Sequence, residues 1–217
     1  RRDKVWMDDD NAGFGASYTD EAGKLVPGNT FDYQHIHGKA IMAAGYSFCS
    51  ADADAFETGG CRMRSYWATD IICGKQVTTP AGTGSVQPHR FEVFPEALQN
   101  AIIECIGNGG HILVSGANIG TDLNDEVYPG CRDSLYQAGA RHFAGAVLGY
   151  SWLTGNATRS GNVRYFSSPM MKFSETDAPF GFNQQKNNYI YNVENPDGIV
   201  PASSDAFTFL RYTGTDI

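Results

Sequence analysis

The run Gly109-Gly110-His111-Ile112-Leu113-Val114-Ser115-Gly116-Ala117-Asn118-Ile119-Gly120-Thr121-Asp122 constrains this chain more than any other. An apolar strand drives straight into a tight Gly-x-Asn-x-Gly bend. In nucleophile-elbow folds such a bend lifts one side chain, normally Ser or Cys, at the carboxyl edge of a parallel sheet. Here the lifted residue is Asn118, whose carboxamide donates and accepts hydrogen bonds but is no nucleophile at neutral pH. The pattern predicts an enzyme-like scaffold without its expected catalytic atom.

The elements around this run read as alternating strand and helix. Lys4–Met7 predicts a first strand, followed by Asp8-Asp9-Asp10 and a glycine-rich loop over 11–17. Asn29 or Thr30 can cap a helix through Ile36 and Ala40 to Ala43-Ala44, which Gly45 would end. Tyr46–Ser50 and Ala68–Gly74 read as the next strands, and 77–90 as a loop. Pro95 opens a helix to Ile106, with an apolar rhythm from Leu98 and a Gly-Asn-Gly-Gly stop. A further helix is expected around Asp133–Ala140. From Ser151 onward the pieces are short and β-like, at 162–166, 188–193 and 206–212. The expected architecture is α/β: one domain over 1–217, a parallel sheet flanked by helices, with a β-rich edge or extension over 151–217.

A net charge of -8 lacks the dense Lys/Arg face of a nucleic-acid binder. No apolar stretch reaches the roughly 18 residues of a membrane span. Glycine, tyrosine and polar residues are abundant and only 18% of residues are charged, a composition that leans toward an exported protein. The abrupt start at Arg1-Arg2 reads as a piece of a longer polypeptide. Five cysteines without a CxxC pair form neither a zinc knuckle nor a redox motif. Cys49, Cys73 and Cys105 read as small buried hydrophobes, whereas Cys61 and Cys131 sit in loop-like context where they can pair in an oxidising compartment.

In an open parallel sheet ligands bind outside the carboxyl ends of the strands. That rule gathers Asp8, Asp10, Lys75, Ser115, Asn118 and Asp122 into one candidate crevice. Consecutive residues of an extended chain face opposite ways, so only Asp8 and Asp10 share a face, too thin a set for a hard divalent ion. No metal or other cofactor is therefore expected. His35 and His37 lie about 200° apart on a helix and cannot grip one ion, though one of them, or Lys39, can reach toward the acidic loop. His111 opens its strand roughly 13 Å from Ser115 and is a poor partner for it. Trp67 and Trp152 are candidates for stacking on sugar rings.

Several phrases carry a family likeness: Trp6–Tyr18, Gly28-Asn29-Thr30-Phe31-Asp32-Tyr33, Ile36-His37-Gly38-Lys39, Ala43–Phe48 and Gly109–Ala117. Together they resemble secreted multidomain proteins of Bacteroidetes commonly labelled xanthan lyase or golvesin-type. The resemblance implies a flavodoxin-like fold similar to class I glutamine amidotransferases, with Asn118 where their elbow carries Cys. It also implies further domains in the same polypeptide and a secreted, periplasmic or cell-surface location. The expected function is a non-catalytic structural or glycan-binding domain, its partner a polysaccharide or cell-wall glycan. The alternative is a carbohydrate-active or amide-cleaving enzyme, hydrolase or lyase, using Asp8, Asp10 or Asp122 with Lys75.

Overall fold

The computed structural model describes residues 33–74, 79–80, 90–91, 93–121, 139, 141–158, 161–169, 172, 180–181 and 196–215. The chain forms two compact units, Arg1–Gly116 and Ala117–Ile217. Helix and strand are mixed, and the parallel pairing lies in the first unit.

In the first unit, helix α1 spans Tyr33–Ala43, the short helix α2 Ala53–Glu57 and helix α3 Glu96–Gly107. Two of these stop in the same way. The Gly45 amide donates to Met42 (3.0 Å) and the Tyr46 amide to Ile41 (3.2 Å), while Gly45 turns to φ 88°. After α3 the Gly109 amide donates to Ile106 and the Gly110 amide to Cys105, each at 2.9 Å, with Gly109 at φ 79°. This paired bonding around a left-handed glycine satisfies carbonyls that a helix end leaves bare. Both stops lie where the glycines predict them.

Pro95 precedes α3 in extended conformation, and the helix buries Leu98, Ile102 and Cys105 on one stripe. With Met63, Cys73, Val93 and Phe94 these make up the buried apolar side chains among the described residues of this unit. Gly110 then enters the sheet so tightly that a Cβ there would strike Cys105, including its carbonyl oxygen at 2.9 Å.

Strand β1 is Ala68–Gly74. A two-residue ladder, β2 Thr79–Pro80 against β3 Arg90–Phe91, runs antiparallel inside the stretch read as loop. Strand β4, His111–Gly116, pairs parallel with β1 in the register Ala68↔His111 through Ile72↔Ser115, with an irregularity before Gly74↔Gly116. The expected parallel pairing around α3 is thus present as two strands. Residues 46–50 are not a strand: no ladder joins them to any of the described residues, and Tyr46 and Phe48 are exposed. The expected strands at 4–7 and 188–193 lie outside the described residues, as does most of the expected helix at 133–140.

In the second unit, helical residues 141–143 run into a wider π turn, Ala144–Leu148, ended by Gly149 at φ 76°. Strand β5, Tyr150–Thr154, then pairs antiparallel with β8, Gly198–Pro201. Strand β6, Asn162–Tyr165, lies between β7, Phe180–Gly181, and β9, Leu210–Tyr212, also antiparallel. The β character expected beyond 151 is present, although the ladder at 206–212 is confined to its last three residues.

Candidate functional site

Past β4 the chain turns over residues 117–120 and reaches Thr121. The organising group of this bend is Asp197, which local sequence reasoning does not single out. Its buried carboxylate accepts the Gly120 amide at 2.6 Å, the Thr121 amide at 2.7 Å and the Thr121 hydroxyl at 2.5 Å. The Trp152 indole N–H reaches both Asp197 Oδ1 and Thr121 Oγ1 at 3.3 Å. The backbone joins in: the Asp197 amide donates to Ala117 at 2.8 Å, and the Tyr150 hydroxyl to the Ile119 carbonyl at 2.9 Å. Tyr212 donates to the Asp197 carbonyl at 3.2 Å.

Two glycines make room for the clamp. A Cβ on Gly120 would stand 2.5 Å from Trp152 Cδ1, and one on Gly155 would stand 2.7 Å from Thr121 Oγ1. The amides of Gly120 and Thr121, which an elbow of this kind can offer to an anion or oxyanion, are therefore already spent on an internal carboxylate.

Burial pushes the Asp197 carboxyl above its ordinary 3.8, while the bonds from Thr121, Gly120 and Trp152 pull it part of the way back. A carboxyl raised on folding binds its proton more tightly in the folded chain. Its contribution is full below the unfolded pKa and is lost as pH rises through the folded one. The stability advantage of the natural protein over Asp197→Asn, which does not titrate, is accordingly expected to shrink as pH rises above the ordinary carboxyl range. Urea midpoints of the two proteins as pH is raised check it; an advantage that widens with pH contradicts it.

Of the crevice candidates, Asp8, Asp10, Lys75 and Asp122 lie outside the described residues. Ser115 is half-buried on β4, opposite Ile72, and Asn118 is half-buried in the bend. His37 Nδ1 meets Asp70 Oδ2 on β1 at 2.7 Å, while the acidic loop toward which His35, His37 or Lys39 is expected to reach lies outside the described residues. Asp70 Oδ1 is buried without a hydrogen-bond partner. This pair ties α1 to the sheet. A cavity of about 320 Å³ opens elsewhere in the unit beside Cys61, Arg62 and Cys105, rimmed by an Arg64–Glu104 ion pair at 2.9 Å.

The two tryptophan candidates differ. Trp152 is half-buried and its N–H is committed to the clamp. Trp67 is 74% exposed, stacks parallel to Tyr46 (centroids 6.3 Å apart, planes at 5°), and carries the His111 ring tilted at 5.1 Å. Tyr46 and His111 are exposed as well. Tyr46 follows the left-handed Gly45 that ends α1, and residues 46–50 form neither helix nor strand. Sequence alone named Trp67 but not its partners, since Tyr46, Trp67 and His111 belong to three separate segments.

Among the described residues no cluster of three or more His, Cys, Asp or Glu side chains is placed to hold a metal ion, and no helix is long and apolar enough to cross a membrane. Compared with family models, curated proteins and solved structures, the chain matches none of them.

Proposed function

We propose that this chain is a non-catalytic, flavodoxin-like domain of the amidotransferase-like kind, part of a secreted cell-envelope or polysaccharide-processing protein, and that it binds glycan through Tyr46, Trp67 and His111. The observation that carries the reading is the exposed, parallel Tyr46–Trp67 pair. Water gains little from covering flat rings of this size, whereas the C–H face of a pyranose packs on them and meets their negative π surface. The occupied amides of the bend support the non-catalytic half of the proposal, because a tetrahedral oxyanion would find Gly120 and Thr121 engaged.

The test is affinity electrophoresis in gels containing soluble cell-wall or plant polysaccharide. The natural protein is expected to be retarded, and Trp67→Ala to bind roughly tenfold more weakly, about the worth of one ring stack. Failure of every such polysaccharide to retard the natural protein, or equal retardation of the variant, overturns the proposal.

A further inference from the structure

The cavity of about 320 Å³ is lined from α2, from the turn that follows it and from α3, and it shares no lining residue with the bend or the aromatic platform. Its volume falls at the small end of ligand pockets, roughly 300–1,000 Å³, and gives room for about ten waters at roughly 30 Å³ each. Its lining is held in place by backbone bonds. Gly59 turns to φ 75° after α2, and the Cys61 amide donates to the Ala55 carbonyl at 2.8 Å. The Ser65 and Tyr66 amides then close a 3-10 turn on the Arg62 and Met63 carbonyls, each at 3.0 Å. Helix α3 packs against both α2 and this turn and contributes Ala101, Glu104 and Cys105.

The lining combines buried apolar groups with exposed charge. Met63 and Cys105 are buried and Phe56 is half-buried, whereas Arg62, Arg64 and Glu104 are exposed. Burial, and after it the Glu104 charge, push the Cys105 thiol up, so this sulfur stays neutral and adds no negative charge to the lining. Cys73 is buried as well, while Cys49, expected among the buried cysteines, is exposed. Arg64 spends its charge on Glu104 at 2.9 Å. The Arg62 guanidinium has neither an ion pair nor a hydrogen bond among the described residues. Two guanidiniums against one carboxylate leave a single positive charge in excess at the cavity, in a chain whose net charge is -8.

We infer that this cavity binds a small organic monocarboxylate, its carboxylate on Arg62 and its apolar body against Phe56, Met63 and Ala101. A guanidinium presents parallel N–H donors that match the two oxygens of a carboxylate as a fork. The single excess charge balances a monoanion, whereas a phosphate dianion would carry uncompensated charge into a partly apolar space. The apolar body supplies the rest of the affinity by covering side chains that water now meets. This site stands independently of the glycan reading, and either can fail without the other.

The test titrates the whole isotope-labelled chain with sodium benzoate and follows backbone amide shifts, with benzyl alcohol as a ring without charge and acetate as a charge without a body. Saturable shifts are expected at residues 59–65 and 101–105, with each control at least about tenfold weaker than benzoate. Arg62→Ala is expected to weaken benzoate at least about tenfold through loss of a charge-assisted pair, with Arg62→Lys in between. Glu104→Gln, an exposed change that releases Arg64, is expected to tighten binding about threefold. Benzoate shifts that fail to saturate or that centre on Trp67 and His111, a control that binds as well as benzoate, unchanged affinity in Arg62→Ala, or weaker binding in Glu104→Gln overturns the inference.

Discussion

Replacing Asp197 by alanine is expected to lower the stability of the fold by about 3–5 kcal/mol, because truncating one partner of a buried, hydrogen-bonded charge leaves the others unsatisfied. The stranded donors are the amides of Gly120 and Thr121, the Thr121 hydroxyl and the Trp152 indole. None can turn to water without opening the bend: Thr121 is 5% exposed, and Gly120 lies against the Trp152 ring. Urea denaturation followed by circular dichroism measures the loss, and Trp152 emission reports whether its environment opens. A loss below about 1 kcal/mol, the worth of one ordinary neutral hydrogen bond, would show that the carboxylate does not hold the turn.

Phe94→Ala is the second large effect, at about 3–5 kcal/mol in the same measurement. Phe94 is completely buried, among the largest such side chains in the described core, and its carbonyl accepts the Gln99 side-chain amide at 2.7 Å, which fixes the entry of α3. Truncation removes the ring's transfer free energy and leaves a void that the surroundings fill only in part. Ile103→Ala on α3, the helix that Phe94 precedes, serves as the control: with 47% of its surface exposed, it is expected to cost under about 1 kcal/mol. Equal losses at the two positions would mean that α3 presents a different face to the core.

Local rules read the helices well. Gly45 and the Gly109-Gly110 pair are positions where backbone chemistry allows few alternatives, and Leu98, Ile102 and Cys105 share a stripe that any helix over 96–107 would bury. The apolar run into Ser115 and the run over Ala68–Gly74 were legible as strands for the same reason, and they pair in parallel. Tyr46–Ser50 shows the limit. Its alternation is that of a strand, but a strand exists only where another chain segment completes its ladder, and none of the described segments does so here. In Val163 and Tyr165 the β pattern found its partners; across 206–209 no strand forms, although the Phe209 carbonyl accepts the Phe166 amide at 2.8 Å beside the β6–β9 ladder.

The candidate site was less legible. Asn118 announces a bend, yet what holds the bend comes from Asp197, 77 positions beyond Gly120. In sequence Asp197 stands within Asn195-Pro196-Asp197-Gly198, which reads as ordinary turn chemistry. Its one distinguishing property is burial, and burial arises only from packing. The aromatic platform was half visible for a similar reason: Trp67 stood out as a large ring in a polar stretch, while its stacking partner comes from the segment mistaken for a strand.

Hydrogen exchange at the Gly120 and Thr121 amides tests most directly whether the bend after β4 is a closed, internally satisfied turn. Both amides are expected to be strongly protected in the natural protein at neutral pH and to lose that protection in Asp197→Asn, with the rest of the second unit still folded. Exchange of the two amides at the rate of an open loop in the natural protein would contradict the account, since they would then be free to meet an anion and the case against elbow chemistry would fall.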